Sequence, residues 1–269
     1  MIEYSSLDSS WGKIFYGYKE KEAAKTFVLL TGIASTCKSL QGILVPLSRE
    51  FSVLSMDNLG AGFSPQPETS FEISDISEIL KNILDNKGIG KIYLGGISMG
   101  GLIAQDFSSR FPDRVEKLVI IGSHTGGDDY FPPKPEVRAV WTSDSKEDLR
   151  PQRLKYCYGP RAIEKWPDII SILIDYWDRE LPQQNPKSFA HQKAAADRFG
   201  FAPPSDFWYA GKTLIMSSRE DLILPYENHL ALKKRYPHAD EIVYDEGGHF
   251  FMFEHKKIFL QQIKEYLKN

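Results

Sequence analysis

The sequence predicts an α/β protein whose mostly parallel sheet carries helices on both faces. Short apolar runs alternate with stretches of helical spacing up to residue 122, and the alternation returns at residue 212. This alternation is typical of a parallel sheet covered by helices. Between the two parts, residues 123–209 show helical patterns and prolines without a convincing strand. We therefore predict a core formed by residues 1–122 and 210–269, with residues 123–209 as a helical cap insert.

The composition limits the class of protein further. The chain has 269 residues, 42% hydrophobic and 26% charged, which fits a globular protein of one large domain or one domain with an insert. A formal net charge of −3 offers no basic surface for nucleic acid. Two cysteines, Cys37 and Cys157, form neither a disulfide framework nor a zinc site, which favours a reducing compartment. The start is too polar for a signal peptide and no apolar run of about 18 residues exists, so we expect a cytoplasmic protein without membrane contact.

The first part of the chain predicts a hairpin and then strands and helices in turn. Alternating residues at 2–4 and 13–18 indicate a β-hairpin. Continuous apolar runs predict four buried strands: residues 27–31, 52–56, 92–94 and 117–122. A helix that ends near residue 51 should be broken or kinked by Pro46. The amphipathic helix over residues 73–84 should be capped by Ser70 and stopped by Gly88.

The insert is rich in aromatic residues and is bounded by prolines. Helical stretches are predicted at residues 146–158, 162–180 and 186–199. Four of the five tryptophans lie in the insert: Trp141, Trp166, Trp177 and Trp208. Such an insert suggests a cap over the sheet, where some of these rings could line an apolar pocket. After it, strands at residues 212–217 and 241–244 are each followed by a helix, at residues 226–236 and 255–267.

The stretch from residue 91 to residue 110 carries the strongest chemical signal. Ser98 follows a short strand, precedes a helix that stops at Pro112, and has Gly96 and Gly100 two residues away on either side. A G-x-S-x-G turn exposes the hydroxyl at the tip of a strand, beside the positive end of a helix. A glycine-rich turn could instead bind a phosphate, but the G-x-G-x-x-G spacing of dinucleotide folds is missing. We therefore predict that Ser98 is a nucleophile.

A serine nucleophile needs a base within hydrogen-bond reach, and His249 is the candidate. His249 lies in a glycine-containing loop directly after the last predicted strand, at the same carboxyl edge of the sheet as Ser98. The other histidines follow an earlier strand or lie in the insert and on later helices: His124, His191, His229, His238 and His255.

The base in turn needs an acid that orients it, and the developing oxyanion needs N–H donors. Asp221 follows the strand at residues 212–217 and should lie at the same edge. Glu220 is a close rival and Asp128 a distant one. We expect the oxyanion to be held by the backbone N–H of Met99, directly after the serine, and by that of Ile33.

These features resemble the α/β-hydrolase superfamily, in which the order serine, acid, histidine is the same. The resemblance covers residues 15–122 and 210–268. It includes Asp57-x-x-Gly60-x-Gly62-x-Ser64, the acid loop that ends in Pro225, and Gly248-His249. Thr31 stands where the family usually has His, and Leu59 where an Arg is often found; both positions chiefly support loops in relatives. The resemblance implies an eight-stranded, mostly parallel sheet with one antiparallel strand near its start, and no metal or organic cofactor.

Within the superfamily the chain is similar to small esterases, 3-oxoadipate enol-lactonase-like hydrolases and carbon–carbon bond hydrolases. We expect a serine hydrolase that cleaves an ester, lactone or thioester of a small, partly apolar substrate through an acyl-enzyme. A carbon–carbon bond hydrolase and a ligand-binding receptor or signalling protein on the same scaffold are the alternatives. The insert contains arginines that could bind a carboxylate, although a solvated helix face explains them more simply: Arg138, Arg150, Arg153, Arg161 and Arg179.

Overall fold

The computed structural model describes residues 1–143, 148–199 and 209–269. Eight strands form one sheet in the order β1-β2-β4-β3-β5-β6-β7-β8. Their bounds are β1 Glu3–Ser9, β2 Gly12–Lys19, β3 Thr26–Leu30, β4 Ser52–Met56, β5 Ile92–Ile97, β6 Val115–Ile121, β7 Lys212–Ser218 and β8 Asp240–Tyr244. Strand β2 is antiparallel to β1 and β4, and all other neighbours are parallel. The predicted fold class, with one antiparallel strand near the start, is confirmed.

The described residues form eleven α-helices, which flank the sheet or lie between β6 and β7. Their bounds are α1 Gln41–Leu47, α2 Ile73–Asn86, α3 Met99–Arg110, α4 Pro135–Thr142, α5 Arg150–Cys157, α6 Pro160–Lys165, α7 Ile169–Glu180, α8 Pro186–Arg198, α9 Glu227–Arg235, α10 Phe251–Glu254 and α11 Lys256–Lys268. None of these helices is both long and apolar enough to cross a lipid bilayer.

Apolar side chains fill both faces of the sheet. In β3, Phe27 and Leu29 pack with residues of α1 and α11, whereas Val28 and Leu30 pack with residues of α2 and α3. Successive side chains of a strand point to opposite faces, so a strand covered on both sides must be apolar throughout. This explains why the buried strands appear in the sequence as unbroken apolar runs.

Two helix ends differ from the prediction. Helix α2 is capped by Glu72, whose backbone N–H donates to the Asp75 carboxylate at 2.7 Å, and Ser70 plays no part in the cap. Helix α1 contains Pro46 and ends at Leu47, earlier than expected, and residues 48–50 follow as hydrogen-bonded turns.

The insert contains more helices than predicted. The expected helix over residues 162–180 is split into α6 and α7, because Pro167 lies between them and disfavours helical backbone at the preceding residue. Helix α4 was not predicted; it begins with Pro135, and proline is well suited to the first turn of a helix. Residues 146 and 147 of the predicted helix at 146–158 lie outside the described residues, and so does Trp208.

Candidate active site

Ser98 lies on a strained turn between β5 and α3. Its backbone has φ 55° and ψ −121°, which residues other than glycine rarely adopt. A Cβ atom at Gly96 would lie 1.9 Å from the Gly100 carbonyl oxygen, and one at Gly100 would lie 2.4 Å from the Leu30 carbonyl oxygen. The turn is also held by Ser123, whose hydroxyl donates to the Ser98 carbonyl at 2.8 Å. Both flanking glycines are therefore required by the close packing of the turn.

Asp221 and His249 form a buried pair. The distance from His249 Nδ1 to Asp221 Oδ2 is 2.7 Å, and each residue is 4% exposed. The other oxygen, Oδ1, accepts the backbone N–H groups of Ile223 and Leu224 at 2.8 and 2.9 Å. With Asp221 ionised, Nδ1 carries the ring proton of a neutral imidazole, and Nε2 is left as the acceptor.

The rival acid Glu220 has a different contact. Its carboxylate accepts the backbone N–H of Gly247 at 2.9 Å, so it holds the loop that carries His249 and not the ring itself. A second carboxylate, that of Glu254, accepts the N–H groups of Gly248 and Gly159 at 2.9 and 3.1 Å. Glu254 lies in α10, and no sequence pattern indicated that it would hold this loop.

The loop after β3 approaches the serine from the other side. A Cβ atom at Gly32 would lie 3.2 Å from Ser98 Cβ. The next residue, Ile33, lines the same cavity as Ser98 and Met99. Met99 is the first residue of α3, and the first N–H groups of a helix have no intrahelical acceptor. The structure therefore brings both predicted oxyanion donors to the surroundings of Ser98.

The residues of the Asp57-x-x-Gly60-x-Gly62-x-Ser64 pattern hold neighbouring loops. Asp57 accepts the N–H groups of Cys37 and Phe63 at 2.7 and 2.9 Å, and a Cβ atom at Gly62 would lie 2.1 Å from the Asp57 carboxylate. Burial raises the pKa of the Asp57 carboxyl. Asn58 follows and donates its side-chain N–H to the Thr31 carbonyl at 2.9 Å. This turn supports the loop that contains Ile33.

A cavity of about 790 Å³ joins these groups to the insert. Ser98 and His249 both line it, and among the described residues no hydrogen bond joins their side chains. Such contacts are often long before substrate binds and shorten in the complex. Apolar and aromatic side chains form much of the remaining wall: Tyr130, Trp141, Tyr158, Leu173, Trp177 and Phe253. Of the tryptophans singled out, Trp166 is 39% exposed and lies in a separate groove.

Three charged side chains of the insert line the cavity: Arg138, Lys193 and Asp197. Arg138 is the one of the five arginines noted in the sequence that lines it. The others have partners of their own: Arg150 with Asp148 and Asp178, Arg153 with the Phe189 ring, Arg161 with Glu246, and Arg179 with the Asp175 carbonyl. No group of three or more His, Cys, Asp or Glu residues in the described parts of the chain could hold a metal ion.

His124 is a polar group of the cavity wall that sequence reasoning did not select. Its Nδ1 accepts the backbone N–H of Gly126 at 2.9 Å. Burial, assisted by the nearby Arg235 charge, lowers the pKa of the imidazole to about 3. The ring is therefore neutral near pH 7, and its one proton is on Nε2.

The comparisons with known proteins agree with this architecture. A family model described as the α/β-hydrolase fold matches residues 25–149. The sheet and this match show the α/β-hydrolase fold that the motifs predicted. A 2-hydroxy-6-oxononadienedioate/2-hydroxy-6-oxononatrienedioate hydrolase of Klebsiella pneumoniae is 29% identical over 231 residues, which cover 81% of this chain and 76% of that protein.

Solved structures with low sequence identity show the same fold. A serine hydrolase from the polyaromatic hydrocarbon-degrading bacterium Cycloclasticus zankles superposes with a TM-score of 0.85 at 24% identity, covering 100% of this chain and 98% of that chain. The enol-lactonase of Burkholderia xenovorans LB400 gives 0.84 at 18% identity, covering 98% and 100%. The family match and the Klebsiella relative together support a hydrolytic enzyme.

Proposed function

We propose that the protein is a serine hydrolase that cleaves an ester, lactone or thioester of a small, partly apolar substrate through an acyl-enzyme. One observation carries the proposal: a strained serine at a helix N-terminus shares a cavity with a histidine that is hydrogen-bonded to a buried aspartate. That set of groups is the one that nucleophilic acyl transfer requires. The proposal assigns the reaction to Ser98, His249 and Asp221.

The reaction proceeds in two halves. Ser98 Oγ attacks the substrate carbonyl carbon while His249 Nε2 takes the hydroxyl proton, and the resulting oxyanion is held by the N–H groups of Met99 and Ile33. The tetrahedral intermediate collapses, and the leaving alcohol or thiol takes the proton from His249. Water then attacks the acyl-enzyme with His249 again as base, which releases the acid and restores Ser98. Asp221 keeps its charge throughout and stabilises the imidazolium.

The proposed cap supplies the substrate pocket. Trp141 and Trp177 come from α4 and α7 and line the same cavity as Ser98. A cavity of about 790 Å³ with apolar walls holds a small organic molecule and excludes water from the oxyanion, which strengthens its hydrogen bonds. We therefore propose that residues 123–209 select the substrate and that the groups at the edge of the sheet carry out the reaction.

Carbon–carbon bond hydrolysis is the second candidate, and the identity to the Klebsiella hydrolase favours it. In that reaction the leaving group is a carbon, which must receive a proton before or during cleavage. The two candidates differ in the bond that breaks and share the serine, the histidine and the oxyanion donors. Direct comparison of p-nitrophenyl esters with a 2-hydroxy-6-oxodienoate separates them.

The experiment that tests the proposal is labelling and turnover by the intact protein. A fluorophosphonate probe should label the protein once, p-nitrophenyl butyrate should be turned over repeatedly, and Ser98→Ala should abolish both. Labelling of the alanine variant would contradict the role of Ser98. One slow turnover per molecule, without repeated hydrolysis, would favour the ligand-binding receptor.

We also propose that the enzyme is cytoplasmic, because its two cysteines are free thiols, which fits a reducing compartment.

Both thiols are buried, and burial raises the pKa of each. A thiol that remains protonated reacts slowly, so neither cysteine competes with Ser98 as a nucleophile.

A further inference from the structure

We infer that Gln192 is a positioning residue that fixes the oxyanion loop, the segment from Thr31 to Ser35 after β3. Gln192 lies in α8 of the insert and is 0% exposed. Its side-chain oxygen accepts the backbone N–H of Ala34 at 2.8 Å, and its side-chain N–H donates to the Leu59 carbonyl at 2.7 Å. The inference rests on the proposed function, because it concerns the loop that carries the Ile33 N–H.

The oxyanion loop needs an external contact of this kind. Ala34 has φ 57°, a left-handed conformation that disfavours residues with a side chain. The hydrogen bonds within the loop are long: Ser35 N to the Gly32 carbonyl and Thr31 Oγ1 to the Ser35 carbonyl are both 3.3 Å. The bond from Ala34 to Gln192 is shorter and lies one residue beyond Ile33. It therefore fixes the peptide directly after the proposed oxyanion donor.

The chemistry of the site matches an amide side chain. The Ala34 N–H requires an acceptor and the Leu59 carbonyl requires a donor, and one glutamine amide supplies both. A methionine of similar length would leave the two buried backbone groups without a partner. The fit is close, because a Cβ atom at Gly60 would lie 3.1 Å from Gln192 Cγ.

This contact couples the insert to the reaction centre. Gln192 is 158 residues from Ala34 in the sequence, so the hold on the loop exists only while α8 lies against the core. If α8 moves away, Ala34 loses its acceptor and the Ile33 N–H loses its fixed direction. Displacement of a reacting group by about 1 Å can cost about a hundredfold in rate.

The test compares Gln192→Met with a matched control, Gln184→Met. Gln184 also joins the insert to the core, since its side-chain N–H donates to the Gly60 carbonyl, but it does not touch the oxyanion loop. With p-nitrophenyl butyrate, Gln192→Met should lower kcat by about 10- to 100-fold with KM changed less than about threefold. Inhibition by a trifluoromethyl ketone, whose adduct has an oxyanion, should weaken by the same factor as kcat. Gln184→Met should change each value less than about threefold.

Equal effects of the two variants on kcat would overturn the inference, because the glutamine would then only dock the insert. An increase in KM at constant kcat would overturn it as well, since it would indicate a role in the pocket wall. Gln192→Asn, whose amide is one methylene shorter and cannot reach both partners, provides the same comparison if the methionine variant does not fold. Wild-type protein that neither reacts with a fluorophosphonate nor hydrolyses the ester would instead refute the proposed function, and this inference with it.

Discussion

Replacement of Asp221 by asparagine tests the proposed triad, because the two oxygens of the Asp221 carboxylate have different partners. Oδ1 of Asp221 accepts the N–H groups of Ile223 and Leu224, and Oδ2 faces His249 Nδ1. In Asp221→Asn the amide oxygen must keep the position that accepts two N–H groups, because an NH₂ there would leave both unpaired at about 1–3 kcal/mol each. The NH₂ group then faces His249. Its donation to Nδ1 moves the ring proton to Nε2, which can no longer accept the proton of Ser98.

The expected loss follows from this tautomer change. Triads whose acid is replaced by its amide lose about 10⁴ in kcat. Each factor of ten corresponds to about 1.36 kcal/mol, so the barrier should rise by about 5.4 kcal/mol. The matched control is Glu220→Gln. Glu220 accepts the Gly247 N–H, and a glutamine oxygen can accept the same bond, so its kcat should fall less than about threefold.

The assay is hydrolysis of p-nitrophenyl butyrate by wild type, Asp221→Asn and Glu220→Gln, with Ser98→Ala as the background and circular dichroism as the folding control. Asp221→Asn that keeps more than a tenth of the wild-type kcat would refute the tautomer argument. A severe loss in Glu220→Gln with a mild loss in Asp221→Asn would move the acid to position 220.

Three further predictions concern the turn, the buried histidine and the pocket. Gly96→Ala should destabilise the fold by more than about 3 kcal/mol in urea unfolding, because its Cβ atom would meet backbone at 1.9 Å; Gly42→Ala, in α1 with open space around it, should stabilise by about 0.5–1 kcal/mol. In the folded protein the pKa of His124 is lowered to about 3, whereas in the unfolded chain it is about 6.5. As the pH falls below about 6.5, the unfolded chain therefore binds a proton at His124 that the folded protein does not bind. Through this residue alone, the free energy of unfolding should decrease by about 2 kcal/mol between pH 7 and pH 5. The same urea series with His124→Gln should lose that part of the pH dependence, and an unchanged slope would contradict it. Trp177→Ala should re-rank kcat/KM across an ester chain-length series by about 1–3 kcal/mol per methylene, whereas Trp166→Ala, outside the cavity, should keep the parent's ranking.

Local patterns predicted the elements of the core because each is governed by nearby residues. The predicted strand at residues 52–56 has the same bounds as β4. The buried strands appear as continuous apolar runs because successive side chains point to opposite faces of the sheet and both faces are covered. Helix caps were harder to predict, since Glu72 caps α2 through Asp75, three residues away, while the nearby Ser70 offered an equally good cap in the sequence.

The sequence favoured Asp221 as the acid but left Glu220 as a close rival. The two are adjacent carboxylates after the same strand, and both hold parts of one site. The turn decides, because Asp221 Oδ1 accepts the N–H groups two and three residues later and this orients its other oxygen towards His249. His124 was missed for a related reason, since its place on the cavity wall depends on the insert that folds over it.

The separation between catalytic groups on the sheet and pocket residues on the insert is less complete than the sequence indicated. The proposed catalytic groups lie on the core, yet two of the loops that carry them are tied to the insert. Gln192 of α8 accepts the Ala34 N–H beside Ile33, and the Cys157 carbonyl, at the end of α5, accepts the Phe250 N–H beside His249 at 2.8 Å. The proposed oxyanion donor and the proposed base are thus each held, one residue away, by a hydrogen bond to the insert. Movement of the insert would therefore change the geometry of the reaction centre together with the shape of the pocket. A change confined to the pocket wall, such as Trp177→Ala, should alter substrate ranking alone, whereas loss of the Gln192 amide should lower kcat for all substrates alike.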